Sequence, residues 1–343
     1  MRKQRIYEFD LIKLIAMLSV FTIHFTRELE NAGIQAAVKI FPDTIFHVYL
    51  GGFGVSLFFI VSGASLMYVY GDSCKLKQFY KKRFLAIYPM FWMAFLIATG
   101  IQFFRLQNIN PAIPKWKIIY SVLGIDGNAL WWGPNFYQLG EWFLGVIICL
   151  YVIFPLLRNC LIRSAVWTIV VSAVIFVLCI LFFKGTLPIE CFFLVRIPEF
   201  LIGMLFIKYR KYFSSWWMNL ISAAVIITIS CIPMENIHIM IRNLAIGASC
   251  FLIFANIFSR IPLRIYRKGV LSAACRVGGR YNYAFFLTHH FIITLAATWF
   301  SGAVLRRSEV WLLYLCVLGI TAAATKLLYT LHGGIVQAFS KSE

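Results

Sequence analysis

The sequence predicts an all-α, polytopic membrane bundle of about ten transmembrane helices, with both termini on the inner side of the bilayer. Three observations lead to that class. Of the 343 residues, 61% are hydrophobic, 17% are aromatic and only 13% are charged, and the mean hydropathy is +0.82. A soluble domain cannot bury so much apolar surface, whereas a membrane bundle turns it to lipid. The apolar residues also gather in runs of about 20, the length that crosses a hydrocarbon core of about 30 Å. Lastly, the basic residues fall unevenly between alternate connections.

The first span, 7–27, follows MRKQR and is interrupted by Asp10 and Lys13. It has full length and no small-residue cleavage site at its end, so it is expected to stay in the protein rather than be removed as a signal peptide. The next spans are 46–70, 84–104, 137–157 and 165–183. The remaining five are 190–207, 216–233, 241–258, 282–301 and 309–331. With the N-terminus inside, the inner segments hold twenty Lys and Arg residues, including Arg2, Lys3, Lys81, Lys82 and Arg83. The outer segments hold nine, and Lys13, Arg196 and Lys326 lie within spans. This is the positive-inside pattern and sets the N-in, C-in orientation.

No internal repeat, low-complexity tract or separate soluble domain is visible, so 1–343 reads as one integral membrane domain. The formal charge of +19 lies largely in the inner connections. No basic stripe interleaved with aromatics on a soluble module points to nucleic acid. The nine cysteines show no CxxC and no paired spacing, and read as small buried hydrophobes. The one long outer connection runs from Arg105 to about Asn135 and holds Pro111, Pro114, Trp116, Trp131, Trp132, Gly133 and Pro134. Long connections are uncommon unless functional. Covering a site or stacking on sugar rings is one reading of these tryptophans, and an interfacial aromatic belt is the other.

Ionisable groups inside spans are costly and usually mark a pathway or a reacting centre. Lys13 and His24 are eleven residues apart, about 16 Å and three turns along one helix, and so project from the same face. The spans also contain Glu141, Arg196, Glu199, His289, His290 and Lys326. In the N-in topology, His24, Glu141, Arg196, Glu199 and His289 lie at depths that allow one polar cavity in the outer half or centre of the bilayer. Arg196 and Glu199 stand at i, i+3 and can pair. His289 and His290 are separated by about 100° of helix, and His289 is the choice for the interior. No Cys/His/Asp set has metal-ligand spacing, so no metal is expected. No Gly-x-Ser-x-Gly elbow supports a serine triad.

Several stretches resemble the acyltransferase 3 family of integral membrane acyltransferases. The first carries Asp10, Lys13 and, after ten intervening residues, His24. The others, in order, are GGFGVSLFFIVSG (51–63), FYKKRFLAIYP (79–89), LGEWFLGVIICLYVIFPLL (139–157), RIPEFLIGMLF (196–206) and YNYAFFLTHHFII (281–293). Together they cover most of the chain. Three positions depart from the family pattern. Lys13 stands where arginine is common, Ser56 where an acidic residue is often found, and Ala86 where a second arginine follows Arg83. Lysine keeps the charge but loses the bidentate geometry of a guanidinium.

The resemblance implies transfer of an acyl group, usually acetyl, from cytoplasmic acetyl-CoA or another acyl-CoA to a hydroxyl of an extracytoplasmic glycan or lipid-linked saccharide. It also implies a multi-pass protein of the bacterial plasma membrane. His24 is the expected general base, since an imidazole near its ordinary pKa suits proton transfer at neutral pH. Glu141 or Glu199 is expected to orient it, and Arg196 or His289 to stabilise the oxyanion. Lys13, Lys82 and Arg83 are the expected contacts of the anionic donor. The alternative is an exporter of a polysaccharide or lipid-linked sugar. Transporters usually show broken helices in matching halves, and none is visible here.

Overall fold

The computed structural model describes residues 4–106 and 112–341, so Arg2, Lys3 and Pro111 lie outside the described residues. In chain order the helices begin with α1 (Tyr7–Asn31), α2 (Leu50–Tyr70), α3 (Leu76–Leu106), the short α4 (Ile118–Leu123) and α5 (Asp126–Ala129), and α6 (Trp142–Arg163). There follow α7 (Ala165–Phe182), α8 (Ile197–Lys208), α9 (Arg210–Phe213), α10 (Trp216–Cys231) and α11 (Ile239–Ser259). The last are α12 (Leu263–Tyr266), α13 (Gly269–Arg276), α14 (Asn282–Trp299) and α15 (Arg307–Lys341). Among the described residues, strands are confined to the two-residue pieces β1 (Gln35–Ala36), β2 (Thr44–Ile45), β3 (Val48–Tyr49) and β4 (Val304–Leu305).

The all-α class is what the sequence predicts. Among the described residues seven helices are long and apolar enough to cross a membrane: α1, α2, α3, α6, α7, α11 and α15. The other three predicted spans are also helical but shorter or more polar. Segment 190–207 becomes two 3-10 turns followed by the 12 residues of α8, whose first turn accommodates Pro198. Segment 216–233 becomes the 16 residues of α10, and 282–301 becomes the 18 residues of α14 with its two histidines.

The helices form two compact units, each discontinuous in sequence. The first comprises 1–20, 42–76 and 146–282. Its centre is α2, apolar all round and buried at Phe53, Leu57, Phe59, Ile60 and Val61, as a helix enclosed by others must be. α2 and α8 are its most closely packed pair, and two glycines permit that approach. A Cβ on Gly63 would lie 1.9 Å from the Phe200 carbonyl oxygen, and one on Gly203 would lie 1.8 Å from that of Ile60. Backbone contact across small residues is the usual basis of helix association in lipid. α11 packs on α2 in the same way, with Gly247 against Ser56. At the end of α2, Arg158 donates to the carbonyls of Tyr70 (2.7 Å) and Gly71 (2.8 Å), satisfying acceptors the helix leaves open. The start of α1 is held by Arg5, which donates to Asp10 (2.6 Å) and to the Cys275 carbonyl (2.8 Å), and by the pair Glu8–Arg210.

The second unit comprises 21–41, 77–145 and 283–343. The later part of α1 packs on α14 and α15 through Phe21, Phe25, Phe285 and Tyr314. Thr22 and Tyr314 share a hydroxyl hydrogen bond of 2.8 Å, and Thr288 and Thr325 one of 3.0 Å. Beyond the helices, β1 and β4 pair in parallel with Gln35 opposite Val304.

The long connection after α3 does not extend away from the bundle. It folds back along α3. Trp92 donates to the Val122 carbonyl (2.9 Å), Tyr88 to that of Leu123 (3.0 Å), and Gln138 to the Thr99 hydroxyl (3.0 Å). Lys117 fastens its other side by donating to the carbonyls of Trp132 and Pro134. Asn135 donates to the Asp126 carbonyl (2.7 Å), and the Ser121 hydroxyl to the Asp126 carboxylate (3.0 Å). Trp131 and Trp132 remain 43% and 66% exposed, with Trp132 stacked on Tyr120.

The nine cysteines are all free thiols. Cys250 and Cys275 are buried as expected, but Cys160, Cys231 and Cys316 are on the helix exteriors. Cysteine is apolar enough to face lipid, so membrane helices need not bury it.

Candidate active site

The second unit gathers three histidines. His24 lies on α1 and is half-buried; His289 and His290 lie on α14. The ring of His24 lies 5.4 Å from that of His289, centre to centre, and 5.0 Å from that of His290. The contact with His290 is edge-on, at 82°. His289 is the more enclosed, at 3% exposure. Its Nδ1 lies 2.7 Å from the Phe286 carbonyl oxygen and 3.1 Å from that of Phe285. A carbonyl only accepts, so Nδ1 carries the hydrogen and a neutral His289 presents a bare Nε2. That Nε2 is buried and has no hydrogen-bond partner among the described residues.

His290, which sequence reasoning set aside, also enters the cluster. Two neighbours on a helix diverge by about 100°, yet the His24 ring approaches both, and the rings of His289 and His290 are themselves 6.4 Å apart. Glu28, four residues beyond His24, is the second residue the sequence reading passed over. Its Oε1 lies 3.9 Å from His290 Nε2 and accepts from Asn31 at 3.3 Å. Its Oε2 accepts from the Thr294 hydroxyl at 3.0 Å. The signal was present as the i, i+4 spacing from His24, which places both on one helix face.

The other predicted residues stand as follows. Glu141 is buried in the second unit just before α6, where both of its carboxylate oxygens accept from the Gln138 backbone N–H at 3.0 and 3.1 Å. Its recorded partners do not include an imidazole. Arg196 and Glu199 belong to the first unit and bind one another at 3.0 Å with both side chains 1% exposed. Ser56 of α2 donates to Glu199 at 2.6 Å, and Arg196 donates to the Glu190 carbonyl at 3.0 Å and lies over the Phe59 ring. Ser56 thus supplies a hydroxyl donor to a carboxylate that α8 provides. Lys13 is half-buried on α1; Lys82 is exposed and Arg83 half-buried in the first turns of α3.

A half-buried imidazole beside a buried one and a second half-buried one that faces a carboxylate can accept a proton from a hydroxyl and return it to a leaving group. Among the described residues no group of three or more His, Cys, Asp or Glu side chains has the arrangement to hold a metal ion.

Comparison with known proteins bears on which reaction this chemistry serves. The family model described as "Acyltransferase domain" matches residues 6–330. Acyltransferase MdmB of Streptomyces mycarofaciens is 23% identical over 310 residues, which are 82% of this chain and 77% of that protein. No solved structure matches. The match runs from the first turn of α1 to the later part of α15 and takes in every residue of the histidine cluster. The chain therefore belongs to this acyltransferase family, and is a membrane-embedded enzyme that transfers acyl groups.

Proposed function

We propose that the protein moves an acetyl group from cytoplasmic acetyl-CoA to a hydroxyl of an extracytoplasmic glycan or lipid-linked saccharide, in the bacterial plasma membrane, with His24 as general base. The observation that carries this reading is the meeting of His24 with His289 and His290 inside a chain of the acyltransferase family.

In the proposed step the free nitrogen of His24 takes the proton of the acceptor hydroxyl as its oxygen attacks the thioester carbonyl. The tetrahedral intermediate collapses with cleavage of the C–S bond, and the departing thiolate takes the proton back from His24. The products are an ester and free CoA thiol. His289 serves as an acceptor beside His24 while neutral, since its only ring hydrogen points to the backbone. It can help stabilise an oxyanion only when protonated.

Lys13, Lys82 and Arg83 are proposed as cationic contacts for the phosphates of the donor. Arg196 and Glu199 are proposed to act by fixing α8 on α2, and Glu141 by fixing the entry to α6, since their polar atoms are already engaged there.

The test uses purified protein in lipid nanodiscs with radiolabelled acetyl-CoA and envelope glycan from the source cells. Label appearing in the glycan, dependent on His24, supports the enzyme reading. Transmembrane flux of saccharide without thioester cleavage overturns it in favour of an exporter.

A further inference from the structure

The mechanism above gives His24 a proton but no fixed counter-charge. Glu28 is placed to supply one. It lies on the face of α1 that carries His24, one turn further on. Its side chain is 16% exposed, and its one ionic partner among the described residues is His290. Arg27 and Lys39, the nearest basic residues in sequence, pair instead with Glu30 at 2.6 and 3.3 Å. The carboxylate is also held at both ends, by Asn31 on α1 and Thr294 on α14. A glutamate without a guanidinium or ammonium partner is costly near the end of a membrane helix, and this one is kept in a single orientation.

His290 connects it to the base. Its Nε2 faces Glu28 Oε1, while its Nδ1 is buried and has no hydrogen-bond partner among the described residues. At 3.9 Å the contact is a charge–charge approach rather than a hydrogen bond, and the carboxylate favours positive charge on the His290 ring. The ring lies edge-on to His24 at 5.0 Å. The chain of groups is therefore carboxylate, imidazole, imidazole. We propose that Glu28, acting through His290, is a positioning residue for acyl transfer: its charge orients the His290 ring and balances the positive charge that forms on His24 when the acceptor hydroxyl gives up its proton. No bond is made or broken at Glu28, and the proton stays on His24 until the thiolate takes it. This inference rests on the acyltransferase reading with His24 as base.

A purely structural role is the competing explanation, because Glu28 also ties α14 to α1 through Thr294. Three variants separate the two: Glu28→Gln, which keeps the shape and can still accept from Thr294; Thr294→Val, which keeps the charge and removes the tie; and Glu28→Asp. Each is purified in nanodiscs beside wild type and His24→Ala. The assay follows thiol release from acetyl-CoA with source-cell envelope glycan as acceptor. The expected result for Glu28→Gln is a kcat about 100-fold lower, at the low end of what general base catalysis contributes. Its KM for acetyl-CoA stays within about twofold and its melting temperature is unchanged. Thr294→Val should lose less than about threefold in kcat, and Glu28→Asp should recover part of the loss.

A Glu28→Gln kcat within twofold of wild type, with His24→Ala inactive, overturns this inference and leaves the acyltransferase reading intact. Equal losses in Glu28→Gln and Thr294→Val, each with a lowered melting temperature, overturn it in favour of a structural tie. Wild-type protein that cleaves no thioester overturns both readings.

Discussion

Glu28 and Glu30 are two residues apart on α1 and meet different company. Glu30 is exposed and pairs with Arg27 and Lys39, while Glu28 turns inward to Thr294 and His290. Exposed pairs of the first kind contribute about 0–1 kcal/mol, so Glu30→Ala should leave stability and activity nearly unchanged. The buried Arg196–Glu199 pair is different in kind. Removing one partner strands a charge that is 1% exposed, and such losses cost about 3–5 kcal/mol. Arg196→Met should therefore lower the melting temperature in detergent sharply. Replacing both residues with apolar ones should cost less than the single change. If Arg196→Met melts with wild type, the pair does not hold α8 on α2.

The residues of the histidine cluster differ in how plainly they show in a linear sequence. His24 and His289 stand out because ionisable groups in apolar runs are rare. Glu28 falls one residue past the predicted end of the first span, where a carboxylate reads as interfacial. Helix angle favours His289 over His290 for the interior, but angle on one helix cannot say that a neighbouring ring reaches both positions.

Among the elements, α2, α6, α7, α11 and α15 were legible because a run of about 20 apolar residues has few other uses. The approach of α2 to α8 was less so, because the small residues that permit it show their purpose only when the facing backbone is known. Gly203→Leu should force Ile60 and its helix outward, an overpacking that typically costs about 1–3 kcal/mol. Thermal unfolding of that variant reads the loss directly, and a wild-type melting temperature would contradict the close crossing.

The connection along α3 offers a pH test outside the spans. Burial pushes the Asp126 carboxyl up to about 6, against an ordinary value of 3.8. The folded form therefore prefers the protonated acid, so its contribution to stability is full below the unfolded value and is lost as pH rises through about 6. The wild-type melting temperature should fall between pH 4 and pH 7, and Asp126→Asn should remove part of that slope. An unchanged slope in Asp126→Asn would place the titration elsewhere. The sequence marked this connection by its tryptophans and prolines. The fold-back depends on hydrogen bonds from Tyr88 and Trp92, and on one from Gln138 to Thr99, that no local pattern announces.

At the scale of the whole molecule, composition gave the membrane class and the basic residues gave an orientation, because both are sums over many positions. The two compact units were not legible, since each is assembled from three separate stretches of chain. The orientation can be checked with impermeant maleimide on intact cells. A Ser301→Cys variant, on the expected outer side, should label without permeabilisation, whereas the exposed thiol of Cys160 should label only after it. The reverse pattern would invert the donor and acceptor sides of the proposed reaction.

Acyl transfer through His24 can be tested directly. The most direct measurement is transfer of label from radiolabelled acetyl-CoA to envelope glycan by wild type and by His24→Ala, at equal amounts of folded, membrane-inserted protein. Wild type should transfer label robustly, and the variant none above background. Transfer by His24→Ala at the wild-type rate would contradict this role for His24.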